Sequence, residues 1–296
     1  RMTTTRTTTR TTTRTTTRPG APRMRRSVTT AVIGLPLAAL ALAGCGSSTK
    51  AGTAPNSSSG SSQGTSTSSA PAVTGTVTVF AAASLKPSFT AIGAAFEAAN
   101  PGVKVTFSFG PSSGLATSIT QGNPADVFAS ASPTNMDSVV KAGDASTPTT
   151  FAKNVMQIAV PPTNPAGITG LADLAKAGVK VARCDDAVPC GKLAITIFAQ
   201  AKITVTPVDK AVDVAHVVTD VTTGEVDAGL VYVTDVLAQG AKVKGIEIPA
   251  DLNASTSYPI AVLTKAPNPA GAAAFQAFVL SDAGLKAITD AGFAKP

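Results

Sequence analysis

From Thr76 onward the chain keeps switching between two patterns. Short runs rich in Val, Ile, Phe and Ala, such as residues 76–82 and 103–109, give way to longer runs whose apolar residues recur every three or four positions. A strand period and a helix period that alternate through short links leave few architectures open. The order predicts an α/β fold of mostly parallel sheets with helices on both faces. Strands are expected at 76–82, 103–109, 126–129, 154–160, 179–182, 228–233 and 258–263. Helices are expected after Ser84, at about 115–121, after Ser132-Pro133 (with Ser132 as N-cap), at 171–177 and 192–201, after Asp213, and at 269–280 and 283–291. The succession runs once and begins again near residue 156. That implies two lobes, 76–155 and 156–256, with 257–296 returning to complete the domain. In such sheets a ligand lies beyond the carboxyl ends of the strands, where helices begin.

The residues before this region read differently. Residues 1–23 repeat Thr-Thr-Thr-Arg, a composition that buries nothing. Two readings stay open: a start at Met24, or a basic disordered arm. Arg25-Arg26, an apolar stretch of about 15 residues to Leu42, and Leu42-Ala43-Gly44-Cys45 follow in register. This resembles a bacterial lipoprotein signal (24–44), in which Cys45 takes a thioether-linked diacylglycerol and becomes the mature N-terminus. A durable membrane anchor needs several acyl chains. The Ser- and Gly-rich stretch 45–75 reads as a flexible tether. The expectation is an exported bacterial protein held by lipid at the outer face of the cell membrane. No other run approaches the roughly 18 apolar residues of a membrane span.

Charge has to be located before it is interpreted. The formal charge is +7, but the first 44 residues hold eight arginines and no acid, leaving 16 basic against 17 acidic residues from Cys45 onward. A near-neutral folded region offers no basic groove, so nucleic acid is not expected as a partner. Aromatics are only 4% of the chain and Trp is absent, so the core is expected to rest on Ala, Val, Ile and Leu.

Several chemistries are missing. The one histidine, His216, sits on a predicted helix with no second His nearby, so neither a zinc site nor a Ser-His-Asp triad is expected. No nucleophile elbow, P-loop or dinucleotide fingerprint occurs. Asp185 and Asp186 read as a solvated turn, or alternatively an acid pair. Cys184 and Cys190, with five residues between them in an exported chain, read as a disulfide; a redox pair would lack the usual C-x-x-C spacing.

What recurs is a strand end that runs into a helix start carrying small neutral donors. Ala81-Ala82-Ala83-Ser84-Leu85, Phe109-Gly110-Pro111-Ser112-Ser113-Gly114, Val188-Pro189-Cys190-Gly191, Asp213-Val214 and Val231-Tyr232 are five such junctions. A helix start offers unpaired N–H groups and the positive end of the dipole. Several of them together make an anion site without Lys or Arg. Read singly, each Ser could equally be an N-cap. Asp213 is the one acid bordering a junction.

These junctions, together with Gly122-Asn123-Pro124-Ala125-Asp126-Val127-Phe128-Ala129-Ser130-Ala131, Gly229-Leu230-Val231-Tyr232-Val233-Thr234-Asp235 and Tyr258-Pro259-Ile260-Ala261-Val262, resemble the molybdate-binding protein family of ABC transporters in order and spacing over about 220 residues. The resemblance implies a two-lobed, hinged, periplasmic-binding-protein-like fold of type II that closes on a tetrahedral oxyanion. Its ligand contacts would be the hydroxyl and N–H of Ser84, the hydroxyl and N–H of Ser112, the N–H groups of Cys190 and Val214, and the O–H of Tyr232. It implies molybdate or tungstate as ligand, an ABC permease as partner, a monomer, no enzyme activity and no cofactor, with molybdenum entering only as the oxyanion. Many members carry Ala where this chain has Cys190, and Pro111 replaces a Ser of some members. Three other readings are a receptor of the same fold for sulfate or another small ligand, an enzyme using Cys190 as nucleophile, and an adhesive surface lipoprotein.

Overall fold

The computed structural model of the chain describes residues 73–296. The expected leader 1–23, signal 24–44, Cys45 and nearly all of the tether lie outside the described residues.

The elements in chain order are β1 (Gly75–Ala82), α1 (Lys86–Ala99), β2 (Val103–Gly110), α2 (Ser112–Thr120), β3 (Val127–Ala129), α3 (Pro133–Lys141), β4 (Thr149–Val160), β5 (Val181–Cys184), α4 (Pro189–Gln200), β6 (Asp209–Ala211), α5 (Val214–Thr223), β7 (Ala228–Tyr232), α6 (Val233–Gln239), β8 (Lys244–Glu247), β9 (Ser255–Val262), α7 (Pro269–Leu280) and α8 (Asp282–Asp290). A short 3-10 turn at Ala83–Leu85 joins β1 to α1.

Local sequence explains most of these. In α1, Phe89, Ile92 and Phe96 recur at helical spacing and are buried, and Pro87 sits in the first turn where its missing N–H costs nothing. Asn100 ends the helix by returning its side-chain amide to the Phe96 carbonyl at 2.9 Å. In β1, Val77, Val79 and Ala81 alternate inward and have no exposure. The helix at α5 begins on Asp213, whose carboxylate accepts the His216 N–H at 3.0 Å. Its inner stripe of Val217 and Val221 presses so closely on β7 that a Cβ at Gly229 would lie 2.6 and 2.9 Å from their methyl groups.

The strand order is β2-β1-β3-β9-β4-β7-β5-β6, with β8 paired to β4. Two parallel trios, β2-β1-β3 and β7-β5-β6, occupy the ends. Between them the pairing is antiparallel, so the expected parallel sheets are in fact mixed. The reason is topological: β4 leaves the first half and β9 returns to it, so the two run in opposite directions side by side. Residues 149–155 of β4 pair with β9, whereas 156–160 pair with β7 and β8. One strand therefore belongs to both halves. At the changeover the Asn253 side chain grips the Met156 backbone on both sides, accepting its N–H at 3.2 Å and donating to its carbonyl at 2.9 Å.

The expectation of an aliphatic core holds in the second half, where Phe198 and Tyr232 are the only aromatics in the buried cluster. It fails in the first, which gathers Phe89, Phe96, Phe151, Tyr258, Phe275 and Phe293 under α1, α7 and α8. Sequence reading also missed β6, β8 and α6, and the segment expected as a helix at 171–177 is a 3-10 stretch, Leu171–Ala175. Ser132 occupies the N-cap position of α3, yet its hydroxyl makes no capping bond; its own N–H donates to Ser130 Oγ at 3.1 Å.

Candidate functional site

The five predicted contact residues line one cavity of about 240 Å³, its mouth included. Ser84 follows β1, Ser112 follows β2, Cys190 follows β5, Val214 follows β6 and Tyr232 ends β7. Ala131, just past β3, joins them. Every one of these positions lies at the carboxyl end of a parallel strand, as expected for sheets of this kind. All five residues are at most 5% exposed.

Three helices aim their N-termini at the space. Ser112 is the first residue of α2, Cys190 the second of α4 behind Pro189, and Val214 the first of α5. N–H groups at those positions have no intrahelical acceptor, and each brings the positive end of a dipole. Side chains add further donors. Ser112 Oγ accepts the Ala131 N–H at 2.9 Å, which leaves its own hydrogen free to donate. Ser84 Oγ lies 2.9 Å from the phenol of Tyr258.

The Tyr232 hydroxyl is buried and has no hydrogen-bond partner. An orphaned buried hydroxyl is costly, and this one is open to a partner such as a water or a ligand. Burial, with the neighbouring Tyr258 adding to it, pushes the Tyr232 phenol well above its ordinary range, so it stays protonated and can donate. Its position is held from behind. Asp235 accepts the Tyr232 N–H at 2.9 Å, and burial raises the Asp235 carboxyl to about 7, partly offset by that hydrogen bond.

Among the described residues no Lys, Arg or His lines the cavity. Buried Arg183 stands at the end of β5, but its guanidinium is engaged by the Cys184 carbonyl at 2.8 Å and by Asp186 at 2.7 Å. Asp213 is the one acid in the lining, and its carboxylate is turned to the His216 N–H. The space is therefore walled by neutral donors, a chemistry suited to a small dianion that carries no proton of its own.

Cys184 and Cys190 form a disulfide, with Cα atoms 5.7 Å apart. It ties the end of β5 to the first turn of α4, and a nucleophilic Cys190 is thereby excluded. Gly191 is required by the same tight turn, since a Cβ there would collide with the Asp185 carbonyl. Asp185 and Asp186 form the turn itself: Asp185 accepts the Ala187 N–H at 2.9 Å, and Asp186 pairs with Arg183 and Lys210.

Residues 77–294 match the family described as bacterial extracellular solute-binding protein. The molybdate-binding protein ModA of Mycobacterium tuberculosis is 46% identical over 222 residues, which span 75% of this chain and 85% of that one. The chain belongs to the molybdate-binding protein family. Among solved structures, the periplasmic molybdate-binding protein of Azotobacter vinelandii superposes with a TM-score of 0.67 at 18% identity, covering 74% of this chain and 99% of that one. The sulfate-binding protein SubI of M. tuberculosis gives 0.66 at 21% identity, covering 74% and 86%. At those identities the two structures speak for the fold alone, an α/β fold of mixed sheet and flanking helices. The family consists of binding components, and the chain is a solute-binding protein rather than an enzyme. No helix among the described residues is long and apolar enough to cross a membrane.

Sequence reasoning missed two residues that set up the cavity. Tyr258 orients Ser84 from β9, and nothing local to either residue announces a contact across 174 positions. Asp235 holds the Tyr232 backbone; its signal was available as an acid three residues into a helix start.

Proposed function

We propose that this chain captures molybdate, and tungstate with it, in the cavity formed by Ser84, Ser112, Cys190, Val214 and Tyr232, and delivers it to an ABC permease. The observation that carries the reading is the convergence of five strand-to-helix junctions on a space with donors and no cationic side chain. Molybdate at neutral pH is a dianion with four acceptor oxygens and no proton. Hydrogen bonds to a charged partner contribute about 1.5–3 kcal/mol each, and more donors converge here than any single helix end could supply. Closure of the two halves would expel water and strengthen each bond. Bending is expected where β4 passes from one half to the other, between Val155 and Met156, beside the Asn253 clasp. The 46% identical relative, itself named for molybdate, supports the choice of ligand.

Sulfate is the competing ligand, favoured by the likeness of fold to SubI. It has the same charge and shape with shorter bonds, so cavity size must discriminate. Calorimetric titration of the chain with molybdate, tungstate and sulfate decides between them. One-to-one binding of the first two and much weaker binding of sulfate is expected; sulfate binding as tightly as molybdate would replace the assignment.

Export and anchoring belong to the same proposal. Cys45 would carry the lipid at the outer face of the membrane, the stretch to Gly75 would tether a monomeric receptor near its permease, and Cys45→Ala would move the protein from the membrane to the soluble fraction. Retention in the membrane fraction would refute the anchor.

A further inference from the structure

His216, expected from sequence to be an ordinary helix residue, does not stand alone. It lies on α5 one turn before Asp220, and β6 places Asp209 opposite both. His216 Nε2 is 3.5 Å from Asp220 Oδ1 and 3.8 Å from Asp209 Oδ2. One ligand atom from each of the three residues falls within 4.8 Å of the others. We propose that Asp209, His216 and Asp220 bind a divalent transition-metal ion of the Zn²⁺ class, on the flank of the second half and apart from the anion cavity.

Three observations carry this. The first is spacing. Zinc bonds to imidazole nitrogen and carboxylate oxygen are about 2.0–2.2 Å, so the edge of a tetrahedron built on them is about 3.4 Å. The two measured separations from His216 need to close by only a few tenths of an ångström. The second is an unmet need. Asp220 is 4% exposed, and among the described residues its Oδ2 is buried without a hydrogen-bond partner; Asp209 Oδ2 is also covered and unpartnered there, although the Asp209 side chain as a whole is 43% exposed. Buried carboxylate oxygens without partners are expensive. The third is charge. Among the described residues no Lys or Arg reaches either carboxylate, and Lys210 is paired with Asp186 at 3.2 Å. A dication would supply the missing positive charge.

Imidazole with two carboxylates is a ligand set for borderline ions, and water would fill the open position. Sequence reasoning excluded zinc for want of a second histidine; the carboxylates take that place, one of them contributed by a three-residue strand that the sequence did not reveal. A bound ion would pin β6 to α5 across the Val212-Asp213 turn, immediately before the Val214 amide.

Calorimetric titration of the full chain with Zn²⁺ tests this, after chelator treatment and on a Cys45→Ala background that removes the cysteine outside the disulfide. One-to-one binding is expected. His216→Ala alters an exposed side chain and should weaken binding at least about tenfold, the loss seen even for outer-shell partners of metal sites. Asp220→Asn should do the same, with an unchanged circular dichroism spectrum showing that the chain still folds. Co²⁺ in place of Zn²⁺ should give visible d–d bands that vanish in His216→Ala. A wild-type chain that takes up no equivalent of Zn²⁺, or a His216→Ala chain that binds as tightly as wild type, overturns the proposal.

Discussion

The hydroxyl of Ser84 and the phenol of Tyr258, 174 residues apart in sequence, are 2.9 Å apart in the fold. Burial holds the Tyr258 phenol far above the ordinary range, so it keeps its hydrogen. When Ser84 donates to an anion, Tyr258 can donate to Ser84, and each bond polarises the next. Ser84→Ala should weaken molybdate binding by about 1.5–3 kcal/mol, and Ser112→Ala by a similar amount. Tyr258→Phe keeps the serine but leaves it unoriented, so a smaller loss of about 0.5–1.5 kcal/mol is expected. Calorimetry on the three variants checks the order; unchanged affinity in both serine variants would remove the site.

Tyr232 separates function from stability. Its hydroxyl is buried and has no hydrogen-bond partner among the described residues. Tyr232→Phe should therefore leave the ligand-free melting temperature unchanged or slightly raised, because an unsatisfied group is removed. The same change should reduce the stabilisation that molybdate gives. A thermal-shift series with and without the anion reads both effects, and a large loss of ligand-free stability would mean that the hydroxyl has a structural partner.

The disulfide contributes to both. Replacing Cys184 and Cys190 together by Ser opens a small loop, and the loop-entropy relation gives a loss of about 2 kcal/mol. On the proposed function Cys190 donates its N–H to the ligand from the first turn of α4, so affinity should fall as well. Denaturant unfolding measures the first effect and titration the second. Equal affinity with reduced stability would show that α4 holds its amide without the bridge.

Asp235 makes stability depend on pH. Its carboxyl is raised to about 7 in the fold, from an ordinary value of 3.8. Between those values the folded chain holds a proton that the unfolded chain has released, so stability falls as pH rises from about 4 to above 7. The penalty is complete above pH 7 and absent below pH 4. Asp235→Asn can still accept the Tyr232 N–H and carries no charge, so it should flatten this slope. Melting temperatures at pH 5 and pH 8 test it: parallel slopes in variant and parent would show that Asp235 titrates normally.

Local pattern made most of the helices and most of the flanking parallel strands legible, with α6 and β6 the exceptions. The helix expected at about 269–280 is α7, which Asn268 caps, Pro269 starts and a largely apolar run sustains. The cavity was readable for the same reason. Its donors sit where strands end and helices begin, and both signals are local. What stayed hidden depends on distant partners. Asp209–Ala211 is a strand only because β5 lies beside it, and Asp209 meets His216 only once that strand forms. Likewise the antiparallel run of β4 follows from where β9 returns, which no window of residues around β4 contains. The strand expected at 228–233 ends at Tyr232, where Asp235 accepts the Tyr232 N–H and α6 begins.

The placement of β9 between β3 and β4 makes the first sheet depend on a segment far along the chain. The opening trio of strands cannot close its sheet until residues 255–262 have been made, more than a hundred positions after β3. Such distant pairing carries a high loop-closure cost and slows the route to the native state. A nascent chain would therefore keep the β3 edge of its first sheet unpaired until synthesis is almost finished, and any truncation before Val262 should leave that edge open.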